Sequence, residues 1–303
     1  MNTIADNSSI DKLSQTITRL NPYLVGLDYD MINDVKRNKF YDQLISSIVK
    51  DKTCADIGFG SGLLTMMALH HGAQHVFAYE ADASTFDFGK ALVERMGYAD
   101  KVTFINEKWN GFLSKKEKEV DIFIHELFMR SVWGEGLKEI GNKVFEAPGQ
   151  IFPHIIHCKV MCTSGFVSPE KYARYSNTKI PKIETEIDYL QDMNKHTHDL
   201  LGSQNYHAFY PNMHNPEVYQ VIEDTFDNMC GSYTIDINKQ IIPDIIETKV
   251  VVPDESYITT MCYANDHRIT GNGHWPPDKI VYNDVGGEKI FKHRTSDGNW
   301  WLS

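Results

Sequence analysis

Two glutamates stand nine residues apart, Glu126 and Glu135, in the run His125-Glu126-Leu127-Phe128-Met129-Arg130-Ser131-Val132-Trp133-Gly134-Glu135-Gly136-Leu137. The apolar run Val120-Asp121-Ile122-Phe123-Ile124 precedes them and predicts a strand. A strand that ends in a carboxylate, with a second carboxylate in the following loop, makes an anionic clamp. Such a clamp fits a planar cation, and the guanidinium of arginine is the obvious one. A plainer reading has Glu126 capping a sheet edge and Glu135 starting a helix near the positive end of its dipole.

Upstream, Asp56-Ile57-Gly58-Phe59-Gly60-Ser61-Gly62 follows one predicted strand and opens a predicted helix. Gly58, Gly60 and Gly62 let the backbone turn sharply and come close to a ligand. Glu80 ends the next strand, 22 residues after Gly58. A carboxylate there can accept both hydroxyls of a ribose. The loop and the acid together point to a nucleoside cofactor. Dinucleotide binding is the nearer rival, but the paired glutamates supply an acceptor site and no hydride-transfer machinery stands out. The combination suggests a methyl donor beside a guanidinium acceptor.

The elements that must position these residues alternate through the first half. A helix is predicted from about Asp30 to Val49, a strand ending Cys54–Ile57, and a helix over Leu63–His71. A strand over His75–Tyr79, a helix over Ser84–Met96 and strands over Val102–Ile105 and Val120–Ile124 follow. This rhythm predicts an α/β domain with a parallel, doubly wound sheet. After Gly149-Gln150-Ile151-Phe152-Pro153 the pattern turns to strands: Ile155–Cys162, Tyr233–Ile237, Glu247–Val252 and Tyr257–Ala264. They predict an all-β second domain, a barrel or sandwich. A stretch over about 169–227, with a helix at Glu186–Leu201, reads as an insertion on it. The expected division is an N-terminal segment 1–27, a donor-binding domain 28–152 and a β domain 153–303.

Bulk composition bounds the partners. A net charge of −11 argues against binding a nucleic acid backbone and would favour a basic partner such as an arginine-rich tail. No run of about 18 apolar residues occurs, so no membrane span is expected. Met1–Ser14 is polar and lacks a signal-peptide stretch. The five cysteines contain no CxxC pair, which fits reduced thiols in a cytoplasmic compartment, with the nucleus added in a eukaryote. His196, His198, His207 and His214 lack metal-ligand spacing on one helix face, and no metal is expected.

At this point the chain resembles the protein arginine N-methyltransferases. The resemblance rests on Gly58-Phe59-Gly60-Ser61-Gly62, on Glu80, on Glu126 with Glu135 as a double-E loop, and on His274-Trp275 as a His-Trp loop. Gly149–Pro153 looks like the junction of the family's two domains, and Met31–Tyr41 like the helix that closes over the donor. Glu126-Leu127-Phe128, Gly134-Glu135-Gly136 and Gly62–Ala68 are worded most like the branch that adds a single methyl group, type III. That branch usually carries two tandem modules, and this chain has length for one.

The resemblance implies a Rossmann-like class I methyltransferase domain followed by a β-barrel, with a dimerisation arm inserted at about 169–227 and a homodimer as the assembly. It implies S-adenosylmethionine as donor, S-adenosylhomocysteine as product and an arginine-containing protein or peptide as acceptor. Glu126 and Glu135 would be catalytic and would hold the substrate, with Trp275 as a wall of the acceptor groove. Arg37 matches the residue that pairs with the carboxylate of the donor's methionine part. Asp34 and His274 match a pair beside the acceptor site, either a proton relay or a lock between domains. Asp56, Gly58, Gly60, Gly62 and Glu80 would hold the donor. Met31 and Tyr41 would line its pocket, though both also suit the core face of an amphipathic helix.

Several residues depart from the family pattern. Phe59 is bulky for a glycine loop and would either pack against the donor or narrow its pocket. His125 stands where the family tends to have a small residue. Arg130 places a cation inside the acidic loop. The acid that often holds the adenine amine aligns with Asn110 and Gly111, with Glu107 close by. Two rival functions follow: transfer to a small-molecule amine or guanidine, and a catalytically silent donor-binding scaffold.

Overall fold

A computed structural model describes residues 31–32, 35–109, 120–127, 133, 136–146, 154–155, 159–167, 169–170, 187–201, 228–236, 241–264, 267–268 and 281–303. The expected N-terminal segment 1–27 lies outside these residues. So does most of the expected insertion, apart from 169–170 and 187–201. The chain divides into two compact units: residues 1–109 with 184–211, and residues 110–183 with 212–303.

The first unit is built on three short parallel strands. They are β1 (Thr53–Ile57), β2 (His75–Tyr79) and β3 (Val102–Ile105). β2 pairs with both neighbours, Ile57 opposite Tyr79 and Ala78 opposite Phe104. The last four residues of β1 and of β2 are all buried, which is why these strands show no alternation of apolar and polar residues; Asp56 is the one charged residue among them.

Three helices accompany the strands: α1 (Val35–Ser46), α2 (Leu63–His70) and α3 (Ala83–Arg95). Every residue of α2 from Leu63 to Leu69 is buried, so this helix is apolar all round. α3 begins at an N-cap, where the Asp82 side chain accepts from the Thr85 N–H at 2.8 Å. Strand and helix bounds here differ from the sequence reading by only a few residues, and the alternation is that of a Rossmann-like methyltransferase fold.

The second unit opens with the strand β4 (Ile122–His125), then α4 (Leu137–Glu146) and β5 (His154–Ile155). β4 and β5 are parallel, Ile122 opposite His154. Farther along the chain, after the next strand, the helix α5 (Asp188–Leu201) belongs to the first unit and is two residues shorter than expected. It lies against α3, and its Tyr189 reaches α1 and α2. Tyr189 donates to Asp42 at 2.6 Å and stacks on His70, with ring centroids 3.9 Å apart.

The rest of the second unit is antiparallel. β6 (Lys159–Val167) lies between β7 (Asn228–Asp236) and β9 (Ser256–Ala264), with β10 (His267–Arg268) and β11 (Val281–Asn283) on β9. β12 (Gly287–Arg294) lies between β8 (Ile245–Val252) and β13 (Trp300–Leu302). Val250, Val252, Ile258, Phe291 and Trp300 form a buried cluster drawn from both sheets. No described helix is long and apolar enough to cross a membrane.

The Asp82 cap gives a local test of this fold. Asp82→Ala should cost about 1 kcal/mol in urea denaturation by leaving the first turn of α3 without its cap; an unchanged midpoint would show that the cap is not what starts the helix.

Candidate active site

The glycine loop joins β1 to α2. Gly58, Gly60 and Gly62 all take left-handed backbone angles, with φ of 80°, 54° and 83°. A side chain at these positions would be strained, so the loop requires glycine. The N–H groups of Gly58 and Phe59 both donate to the Tyr79 carbonyl, at 3.0 and 2.8 Å. The loop is thereby tied to the end of β2.

Glu80 reinforces that tie. Its Oε2 accepts from the Gly60 N–H at 3.1 Å and its Oε1 from the Asp82 N–H at 2.8 Å. One carboxylate therefore holds the glycine loop on one side and the start of α3 on the other. The Asn106 side chain donates to the Glu80 carbonyl at 2.8 Å, which fixes the backbone of the same residue.

Phe59 does not face outward. Its ring is 3% exposed and meets Phe104 edge-on, with centroids 5.8 Å apart. It fills the space beside Gly62 and Gly89. Gly89, in mid-α3, carries no signal of its own in the sequence. A Cβ there would lie 2.2 Å from the Gly60 carbonyl and 2.6 Å from the Phe59 ring. The loop and α3 can approach only because position 89 has no side chain.

Asp56, the residue before the end of β1, is 1% exposed. Thr65 of α2 donates its hydroxyl to Oδ2 at 2.7 Å. Burial pushes the carboxyl up to about 7 from its ordinary 3.8, against the hydrogen bonds from Thr65, which favour the ionised form. Glu80 adds to the rise and Arg37 opposes it.

Arg37 is itself buried, 6% exposed, with its guanidinium 4.9 Å from the Tyr41 ring centre. It donates to Asn38 Oδ1 at 3.2 Å. Asn38 in turn donates to the carbonyls of Met31 and Ile32, at 3.0 and 2.7 Å. The expected donor residues Arg37, Tyr41 and Met31 are thus brought together at the start of α1, and Tyr41 is buried. Glu107 is exposed, just beyond β3.

In the second unit, Glu126 is half-buried and follows directly on β4. His125 before it is fully buried, and burial pulls its imidazole down to about 3, so it is neutral near pH 7. Trp133, within the acidic run, is also fully buried. α4 begins just after Gly136, whose φ is 88°. That helix is anchored to the approach of β8. Lys138 pairs with Asp244, and Asn142 accepts from the Ile242 N–H at 2.8 Å. Asp34, Asn110, Glu135, His274 and Trp275, and also Arg130, lie outside the described residues.

No family model matches the chain. Among curated proteins it is 28% identical over 166 residues to protein arginine N-methyltransferase 7 of Aedes aegypti, a match covering 45% of this chain and 24% of that protein. It is 36% identical over 104 residues to protein arginine N-methyltransferase 1 of Saccharomyces cerevisiae, covering 33% of this chain and 29% of that protein. The matches therefore span about a quarter of each relative's length.

Among solved structures, the crystal structure of PRMT6-SAH superposes with a TM-score of 0.56 at 14% identity, over 90% of this chain and 97% of that one. The Trypanosoma brucei PRMT1 enzyme-prozyme heterotetrameric complex with AdoHcy gives 0.53 at 15% identity, over 86% and 84%. The fold is that of the protein arginine methyltransferases. That likeness extends through both units of the chain, well past the segment in which sequence identity is found.

Two outcomes test the donor half of the site. Gly89→Ala should weaken binding of S-adenosylhomocysteine in calorimetry and lower stability by about 1–3 kcal/mol, because the neighbour in its way is backbone. Wild-type affinity in that variant would show that the loop tolerates displacement. Asp56 ionises later in the folded chain than in the unfolded one, so its contribution to stability is full below about pH 4 and is lost as pH rises through about 7. Asp56→Asn lacks this titration. Its stability relative to wild type should therefore rise by roughly 2 kcal/mol between about pH 5 and about pH 8 in urea denaturation. A flat difference would mean that Asp56 is not held protonated.

Proposed function

We propose that the chain is an S-adenosylmethionine-dependent protein arginine N-methyltransferase. The observation that carries this reading is the pairing of two features in a chain of this fold. One is a glycine loop clasped by Glu80. The other is a carboxylate, Glu126, set directly after a buried strand and followed nine residues later by Glu135. The names of the relatives point the same way.

The residues of the first unit fit the donor. The three left-handed glycines leave the loop backbone open to close approach. Each Glu80 oxygen accepts one backbone N–H and has a second lone pair for a ribose hydroxyl. Arg37 is a buried cation suited to two parallel bonds with the donor's carboxylate, and Tyr41 and Met31 stand beside it. Asp56, Glu107 and Asn110 complete the donor-side assignment.

Bound there, the donor supplies an electrophilic methyl group on a sulfonium. Guanidinium stays protonated up to about pH 12 and is a poor nucleophile. Glu126 and Glu135 grip it through charge-assisted hydrogen bonds and aim one terminal nitrogen at the methyl carbon. They also draw the positive charge away from that nitrogen. The new N–C bond forms as the C–S bond breaks, leaving neutral S-adenosylhomocysteine. The methylated nitrogen sheds one proton, which one of the two glutamates accepts. Asp34 and His274 pass it outward, and Trp275 forms a wall for the peptide.

We assign residues 28–152 to the methyltransferase domain and 153–303 to a β-barrel domain. The segment at about 169–227 serves as a dimerisation arm of a homodimer, and the enzyme works in the cytoplasm without nucleic acid, membrane or metal. The wording around Glu126 and Glu135 favours one methyl per arginine, the type III outcome.

Radiolabelled donor and an arginine-rich peptide test the proposal. The wild type should label arginine, and Glu126→Gln or Glu135→Gln should cut kcat by about 100-fold or more while donor affinity holds. Label on a small guanidine but not on peptide, or donor binding with no transfer at all, would count against it.

A further inference from the structure

Trp133 sits seven residues after Glu126 and two before Glu135. Its indole N–H donates to the Tyr233 hydroxyl at 2.7 Å. That hydroxyl lies 2.7 Å from His293 Nδ1, and His293 Nε2 lies 3.1 Å from the Gly298 carbonyl. All four residues belong to the second unit.

The direction of every bond follows from the chemistry of the ends. Indole N–H can only donate, and a carbonyl can only accept. His293 therefore carries its proton on Nε2. It is fully buried, and burial pulls the imidazole down to about 4, so near pH 7 the ring is neutral and Nδ1 accepts. Tyr233 must then donate to His293 and accept from Trp133. The relay runs one way, from the acidic run to the turn before β13.

The placement of its members is informative. Tyr233 is on β7, which borders one antiparallel sheet, and His293 is on β12, in the middle of the other. The relay thus joins both sheets to the one described side chain between Glu126 and Glu135 that is fully buried. Two peptide units reach at most about 7 Å, so fixing Trp133 restricts where the Glu135 backbone can be.

We infer that Tyr233 and His293 are positioning residues for the guanidinium clamp, acting through Trp133. This rests on the proposed function. A clamp that must aim one nitrogen in line with a methyl carbon is sensitive to displacements of about 1 Å. The relay fixes Trp133, which lies between the two glutamates in the chain, against both antiparallel sheets.

The full chain tests this with three variants and two readouts. Tyr233→Phe removes both the acceptor of the Trp133 N–H and the donor to His293. His293→Leu breaks the far end, whereas His293→Gln can still accept from Tyr233 and donate to Gly298. Expected for Tyr233→Phe and His293→Leu are a drop of about tenfold or more in kcat/KM for an arginine peptide, an S-adenosylhomocysteine affinity within about twofold of wild type in calorimetry, and faster hydrogen exchange of the Trp133 indole in 15N spectra. His293→Gln should recover most of the activity and the slow exchange. An unchanged kcat/KM in Tyr233→Phe overturns the inference while leaving the functional reading intact. So does equal loss of donor affinity and transfer, which marks general damage. A wild type that labels no arginine overturns both.

Discussion

The glycine-loop side of the candidate site depends on one close approach. The glycine loop and α3 meet where Gly60 and Gly89 face each other without a Cβ between them, and the Phe59 ring fills the room beside them. From that contact the rest follows. The loop reaches the end of β2, where Tyr79 accepts two of its N–H groups and Glu80 a third. Glu80 also holds the first residue before α3, so loop, strand and helix share a single carboxylate. A charged group that already accepts backbone N–H groups cannot swing away, which is what a ribose-binding carboxylate requires.

The side of the candidate site that carries Glu126 relies on anchorage rather than on close approach. β4 delivers Glu126 from a strand buried along its whole length. α4, on the far side of the acidic run, is tied to the entrance of β8 by Lys138 and Asn142. Trp133 is tied through Tyr233 to both antiparallel sheets. Of these three, α4 and Trp133 are each held by a partner about a hundred residues away in the chain.

Much of this was legible in the sequence, for physical reasons. Buried parallel strands read as mostly apolar runs, and the turn between β1 and α2 reads from its three glycines, each of which takes a left-handed angle. Other features had no local signature. Phe59, met in a glycine loop, reads as facing a ligand, because such loops approach ligands; in the fold its ring turns to the hollow left by Gly62 and Gly89. Gly89 looks like any helix glycine until the loop is laid against it. Strand β6 runs five residues past its expected end at Cys162, and β7 starts before its expected Tyr233, because antiparallel pairing between them prolongs both. The Trp133–Tyr233–His293 relay joins residues far apart in the chain, and no periodicity predicts which buried polar tips will meet.

The proposed chemistry requires that the two glutamates face a methyl group across a guanidinium. A crystal structure of the chain with S-adenosylhomocysteine and an arginine peptide reads this directly. The account predicts the donor's ribose on Glu80, its carboxylate on Arg37, and the peptide guanidinium held by Glu126 and Glu135 with one nitrogen in line with the sulfur. Glutamates turned away from the sulfur, or a guanidinium bound elsewhere, would contradict it.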